Sequence, residues 1–195
     1  MAGLPVPGHR VLPRGASRLA LCCGDLGDGR GGRWVSGLQR LAAFCAGQGL
    51  ATLQFALLSA VERTLPTASI DADLPTQRLA WALTWAKNQS NLAALRLGLL
   101  GAALGAAAAL GVAAARPGQV AAVVACAGRL DLLVRQLVQM SAPTLLVVAA
   151  DDLALLAINR AALLQLGGRR RLEIVPGSVL LLNEPRALAT VSALA

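Results

Sequence analysis

The chain has 195 residues, enough for one domain with a full hydrophobic core. Hydrophobic residues make up 56% of it, much of that alanine and leucine, whereas aromatic residues contribute only 3% and tyrosine is absent. The net charge of +8 comes from seventeen arginines and one lysine, Lys87, against ten acids; the arginines are scattered and lack interleaved aromatic platforms, so nucleic-acid binding is not expected.

In chain order, the first seventeen residues carry Pro5, Pro7 and Pro13 and Gly3, Gly8 and Gly15. They read as an irregular segment that at most pairs weakly at a sheet edge. From residue 18 to 195 the pattern is that of a single α/β domain. A strand is expected at Leu19 to Cys23, then a helix from Trp34 to Gln48 with Leu38, Leu41 and Cys45 on one face, stopped by Gly49. A strand at Ala51 to Leu57 leads into an irregular stretch, Ser59 to Leu74. Next comes a helix over Thr76 to Asn88, following Pro75. Further strands are expected at Leu97 to Leu100, Val120 to Cys126, Thr144 to Ala150 and Leu172 to Val175. Helices fall at Ala103 to Ala115, at Leu153 to Leu166 and from Pro185 to the end. The strands are short and continuously apolar rather than alternating, as in a sheet buried on both faces. The fold class that follows is α/β: a mostly parallel, doubly wound sheet of about six strands flanked by helices.

Four cysteines, Cys22, Cys23, Cys45 and Cys126, lie within apolar stretches, and no signal-peptide pattern precedes them. A reducing cytoplasm is the expectation. Adjacent Cys22 and Cys23, with His9 the only histidine, make no metal-ligand set, and nothing calls for a cofactor. The run Arg169 to Arg171 reads as a solvated turn before a strand. Residues 97–115 are free of charge and carry Gly101 and Gly105 at GxxxG spacing, which by itself suggests a membrane span. Against this, the helical part is too short to cross about 30 Å of hydrocarbon and has no interfacial tryptophan or tyrosine.

The run Leu97-Gly-Leu-Leu-Gly101-Ala-Ala103-Leu-Gly105 resembles the strand, nucleophile elbow and helix of the α/β hydrolases. Their signature is G-x-S-x-G, with cysteine replacing serine in the dienelactone hydrolases. Ala142-Pro-Thr-Leu-Leu-Val-Val-Ala-Ala-Asp-Asp152 is similar to the strand that ends in the triad acid, and Leu172 to Pro185 to the last strand and the loop that carries the histidine. The chain thus resembles the dienelactone-hydrolase-like family from about Arg18 onward, with the N-terminal edge of the sheet shortened.

That resemblance implies a nucleophile position at Ala103, a histidine position at Leu180 and a retained acid position at Asp152, which could equally be a helix cap ahead of Leu153. Gly24 matches the glycine of the oxyanion loop, while Cys23 stands where the family has histidine. Two of three triad positions are apolar, so the expectation is a hydrolase scaffold without hydrolysis. Its pocket, lined by Ala103, Leu104 and Leu180, would bind a small apolar ligand or a protein partner. Two alternatives stand beside this: an active carboxylic-ester hydrolase with a relocated nucleophile, and a membrane-associated protein using residues 97–115.

Overall fold

A computed structural model of the chain describes residues 8–24, 33–59, 61–62 and 72–176. The strands are β1 (Gly8–Val11), β2 (Arg18–Gly24), β3 (Ala51–Ala56), β4 (Arg96–Ala102), β5 (Ala122–Cys126), β6 (Thr144–Ala149) and β7 (Arg170–Val175). They form one sheet in the order β1-β3-β2-β4-β5-β6-β7, parallel throughout except for β1, which runs antiparallel along the outer edge of β3. This is the expected doubly wound sheet with one strand more than the six foreseen. The addition, β1, lies within the segment read as irregular. It is only four residues long and pairs on one side alone, too little for alternation to register in a sequence rich in Gly and Pro.

Helix α1 (Arg33–Gly47) lays Leu38, Leu41, Ala42 and Cys45 against one face of the sheet, where they join Ala20, Cys22, Leu100, Val147 and Val175 in a core. It ends as Gly49 takes a φ of +82°, a conformation that glycine adopts without strain. Helices α2 (Asp73–Lys87), α3 (Leu104–Ala115), α4 (Val134–Leu137) and α5 (Leu153–Gln165) supply the larger core on the opposite face. The short α4 and the 3₁₀ turn before it, Leu130–Leu133, fall between strands where no element was expected; single turns leave no periodic trace.

Every residue of α3 from Leu104 to Ala114 is buried. A helix enclosed on all sides needs no polar face. Its small residues allow close approach to its neighbours: a Cβ at Gly111 would come within 3.1 Å of the Thr76 side chain on α2. The uncharged stretch 97–115 is therefore a central strand followed by a twelve-residue buried helix, about 18 Å long, which removes the basis for the membrane alternative. Among the described residues, no helix is long and apolar enough to cross a membrane.

One polar tie anchors the chain beyond β3. Arg78 of α2 donates to the Leu57 carbonyl at 2.7 Å and to both carboxylate oxygens of Glu62, at 2.6 and 2.8 Å, while the Ser59 backbone N–H donates to the same carboxylate at 2.7 Å. The Arg78 guanidinium, and secondarily the Ser59 amide, hold the Glu62 carboxyl at about 2, against 4.5 for a free glutamate. Because the folded-state value lies below the unfolded one, the stabilisation is complete above pH 4.5 and disappears as pH falls toward 2. Urea unfolding midpoints of Glu62→Gln should therefore lie below those of the parent at pH 7 and converge with them between pH 4.5 and 2.

Candidate functional site

The chain passes from β2 outward to β3 and then returns to the other side of β2 to form β4, so strand order reverses between β2 and β4. In open α/β sheets the crevice outside the carboxyl ends of the strands at such a reversal is where ligands bind. Gly24 closes β2 there, in register with Ala102 at the end of β4. The next residue, Ala103, makes the sharp turn into α3.

Ala103 has φ 52° and ψ −117°, a backbone conformation that costs a residue with a side chain about 1–3 kcal/mol and persists only where its surroundings enforce it. The enforcement is visible: its N–H donates to the Cys126 carbonyl at 2.9 Å, and its carbonyl accepts from the Ala106 N–H at 3.1 Å. The flanking glycines are obligatory for a different reason. A Cβ at Gly101 would press into the backbone of Gly105 and Ala106, and a Cβ at Gly105 into that of Cys23 and Gly24. The glycine spacing thus answers to strand–helix packing, whatever side chain stands between. At the next strand Ala127, with φ 50° and its N–H donating to the Val147 carbonyl at 2.8 Å, makes a second strained turn. The sequence offered no signal for it, since alanine does not announce positive φ.

Asp152 follows β6, which lies two strands, about 10 Å across the sheet, from the β4 strand that precedes Ala103. Its Oδ1 accepts the Leu155 N–H at 3.0 Å, capping α5. The helix-cap reading is thus realised, with the residue partly exposed at the same carboxyl end of the strands as Ala103 and Gly24, and Asp151 beside it exposed. Asp152→Ala should lower stability by about 1 kcal/mol in denaturant unfolding, whereas Asp152→Asn, which keeps a capping oxygen, should cost much less. Along α5, buried Asn159 donates to the carbonyls of Gly128 at 3.0 Å and Leu155 at 2.8 Å. It thereby ties the chain beyond β5 to the helix that Asp152 starts.

Leu104 is buried at the start of α3, and Leu180 lies outside the described residues. His9 sits on the far edge of the sheet: it faces Gln54, which neighbours Cys22, which neighbours Leu100. Three interstrand steps, about 14 Å, separate it from β4, and its side chain is exposed. Cys23 and Cys126 stand near the strand ends but are fully buried, and burial pushes both thiols up to about 12, which keeps them protonated and unreactive at neutral pH. Among the described residues no group of three His, Cys, Asp or Glu side chains could hold a metal ion.

No protein-family model matches the chain. The crystal structure of a dienelactone hydrolase from Anabaena variabilis is 36% identical and superposes with a TM-score of 0.88, over 98% of this chain and 89% of that one. An alpha-beta serine hydrolase homologue from Coxiella burnetii, 18% identical, shares the fold with a TM-score of 0.76, over 97% of this chain and 89% of the other. A Mycobacterium tuberculosis protein provisionally named a phosphoribosyl transferase is 36% identical over 196 residues, covering 98% of this chain. The chain spans only 43% of the length of that curated relative.

Proposed function

Because the chain belongs to the dienelactone-hydrolase-like family of the α/β hydrolases, we propose that it keeps the family's scaffold and binding crevice without hydrolysing esters or lactones, and that the crevice takes a small apolar ligand. The observation that carries this reading is Ala103. The strained turn that presents a nucleophile in hydrolases is intact, yet the side chain it presents is a methyl group. Hydrolysis by this fold needs a nucleophile and a base to take its proton. The only histidine, His9, is three strands, about 14 Å across the sheet, from β4, and the two buried thiols at the strand ends are protonated. Asp152 then serves as the cap of α5, with the histidine position held by Leu180. Four buried free thiols support a reducing compartment.

A protein partner is the second reading, favoured by the size of the M. tuberculosis relative: a hydrolase-fold unit that makes up under half of a longer polypeptide is placed to serve the remainder. In that reading the phosphoribosyl transfer named for the relative belongs to the part this chain does not match. The test is direct. Purified protein should neither turn over p-nitrophenyl acetate above the buffer rate nor be labelled by a fluorophosphonate. Turnover abolished by Asp152→Asn, a change that spares the helix cap, or a labelled serine, would overturn the reading.

A further inference from the structure

At the amino ends of the strands, the opposite end of the sheet from Ala103, a cavity of about 320 Å³ opens beneath the C-terminal end of α1. Its floor is the α1-facing side of β2, β4 and β5, where Ala20, Gly98, Leu100 and Val124 contribute small or aliphatic surface; Cys45 and Leu50 form a wall. The depth comes from the small residues. Gly98 is not required by close packing, since a Cβ there would lie no nearer than 3.6 Å to any neighbour, the Ala122 carbonyl.

Two charges stand at the edge of this apolar hollow. Arg18 and Arg96 begin β2 and β4 and are direct register partners, which places their Cα atoms about 4.8 Å apart with both side chains on the cavity side of the sheet. The Ser17 carbonyl accepts the Arg96 N–H at 3.1 Å, pinning the two strand starts together. Among the described residues neither guanidinium takes part in an ion pair or side-chain hydrogen bond, and no acidic residue lines the cavity. Like charges directly opposite on adjacent strands repel. Ion pairs among the described residues are made by Arg78, Arg129 and Arg171, none of which reaches this cavity.

We propose that this cavity binds an amphiphilic anion, its aliphatic body on the floor of β2, β4 and β5 and its carboxylate or phosphate head shared by Arg18 and Arg96. The volume falls within the range of small-molecule sites and, at about 30 Å³ per water-sized atom, holds roughly ten non-hydrogen atoms. An eight-carbon chain with a carboxylate has that size. The paired guanidinia supply charge-assisted, bidentate contacts to either head group.

Isothermal titration with octanoate and, separately, octyl phosphate tests the proposal and tells the two head groups apart by which binds more tightly. One-to-one saturable binding of at least one anion is expected, with 1-octanol at least about tenfold weaker. Arg18→Gln combined with Arg96→Gln should weaken the anion at least about tenfold. Gly98→Leu, which fills the floor, should abolish binding while circular dichroism and Tm show the fold intact. No saturable binding of either anion, or binding unchanged in the arginine double variant, would overturn the proposal. So would binding unchanged in a folded Gly98→Leu variant.

Discussion

Gly105→Ala is expected to lower Tm by about 6 to 12 °C, and Gly101→Ala by at least as much. The added Cβ at Gly105 would meet the Cys23 carbonyl group and lie 2.9 Å from the Gly24 Cα; all of these atoms belong to the backbone of β2, a central strand. No rotamer change relieves such a contact. Either α3 must withdraw from the sheet or β2 must bend, and both lie in the main core. Overpacking of this kind costs about 3 kcal/mol, and each kcal/mol is worth about 2–4 °C in a domain of this size. Gly47→Ala is the matched control. It has no atom within 4 Å of the new Cβ and sits at the end of α1, where alanine favours the helix, so its Tm should equal or exceed the parent's. If Gly105→Ala melts with the parent, α3 does not pack against β2 as described.

The double variant Ala103→Ser/Leu180→His should hydrolyse p-nitrophenyl acetate at least about 100-fold faster than either single variant. Ala103→Ser alone places a hydroxyl at the elbow but supplies nothing to take its proton; Leu180→His alone supplies a base with nothing to activate. Positioned base catalysis contributes about 10² to 10⁴, and members of such a unit act far from additively. The residue proposed as the third member follows the carboxyl end of β6. The strand that Asp152 follows is about 10 Å across the sheet from the one that Ala103 follows, and the Leu155 amide occupies only Oδ1, leaving Oδ2 to accept from an imidazole. A double variant that folds like the parent but is no faster than the single variants would show that residues 103, 152 and 180 do not form one vacated site.

Strand and helix positions were readable because apolar runs and helical spacing reflect burial directly. Leu38, Leu41 and Cys45 do lie on one face, and β4 with α3 occupies the glycine-punctuated stretch beginning near Leu97. Boundaries moved where neighbours decided them: β4 extends from Arg96 to Ala102 because β2 and β5 supply ladder partners on both sides, taking in residues that by themselves read as a turn. Of the candidate site, Ala103, Gly24 and Asp152 were legible from motif spacing, and all three lie at the carboxyl ends of interior strands. Ala127 and the Arg18–Arg96 pair were not. Ala127 is strained by a hydrogen bond to a residue twenty positions away, and the two arginines are neighbours only through strand register.

The sequence alone determined the alternation of strand and helix, the glycines of the elbow and the absence of a nucleophile at its centre, because these depend on local period and on residue identity. Only the tertiary structure decided that residues 97–115 are core rather than a membrane span, that Asp152 caps α5, and that His9 lies across the sheet from Ala103. The reason is physical: hydrophobicity records that a residue is buried but not what buries it. Strand order and register set which distant side chains meet.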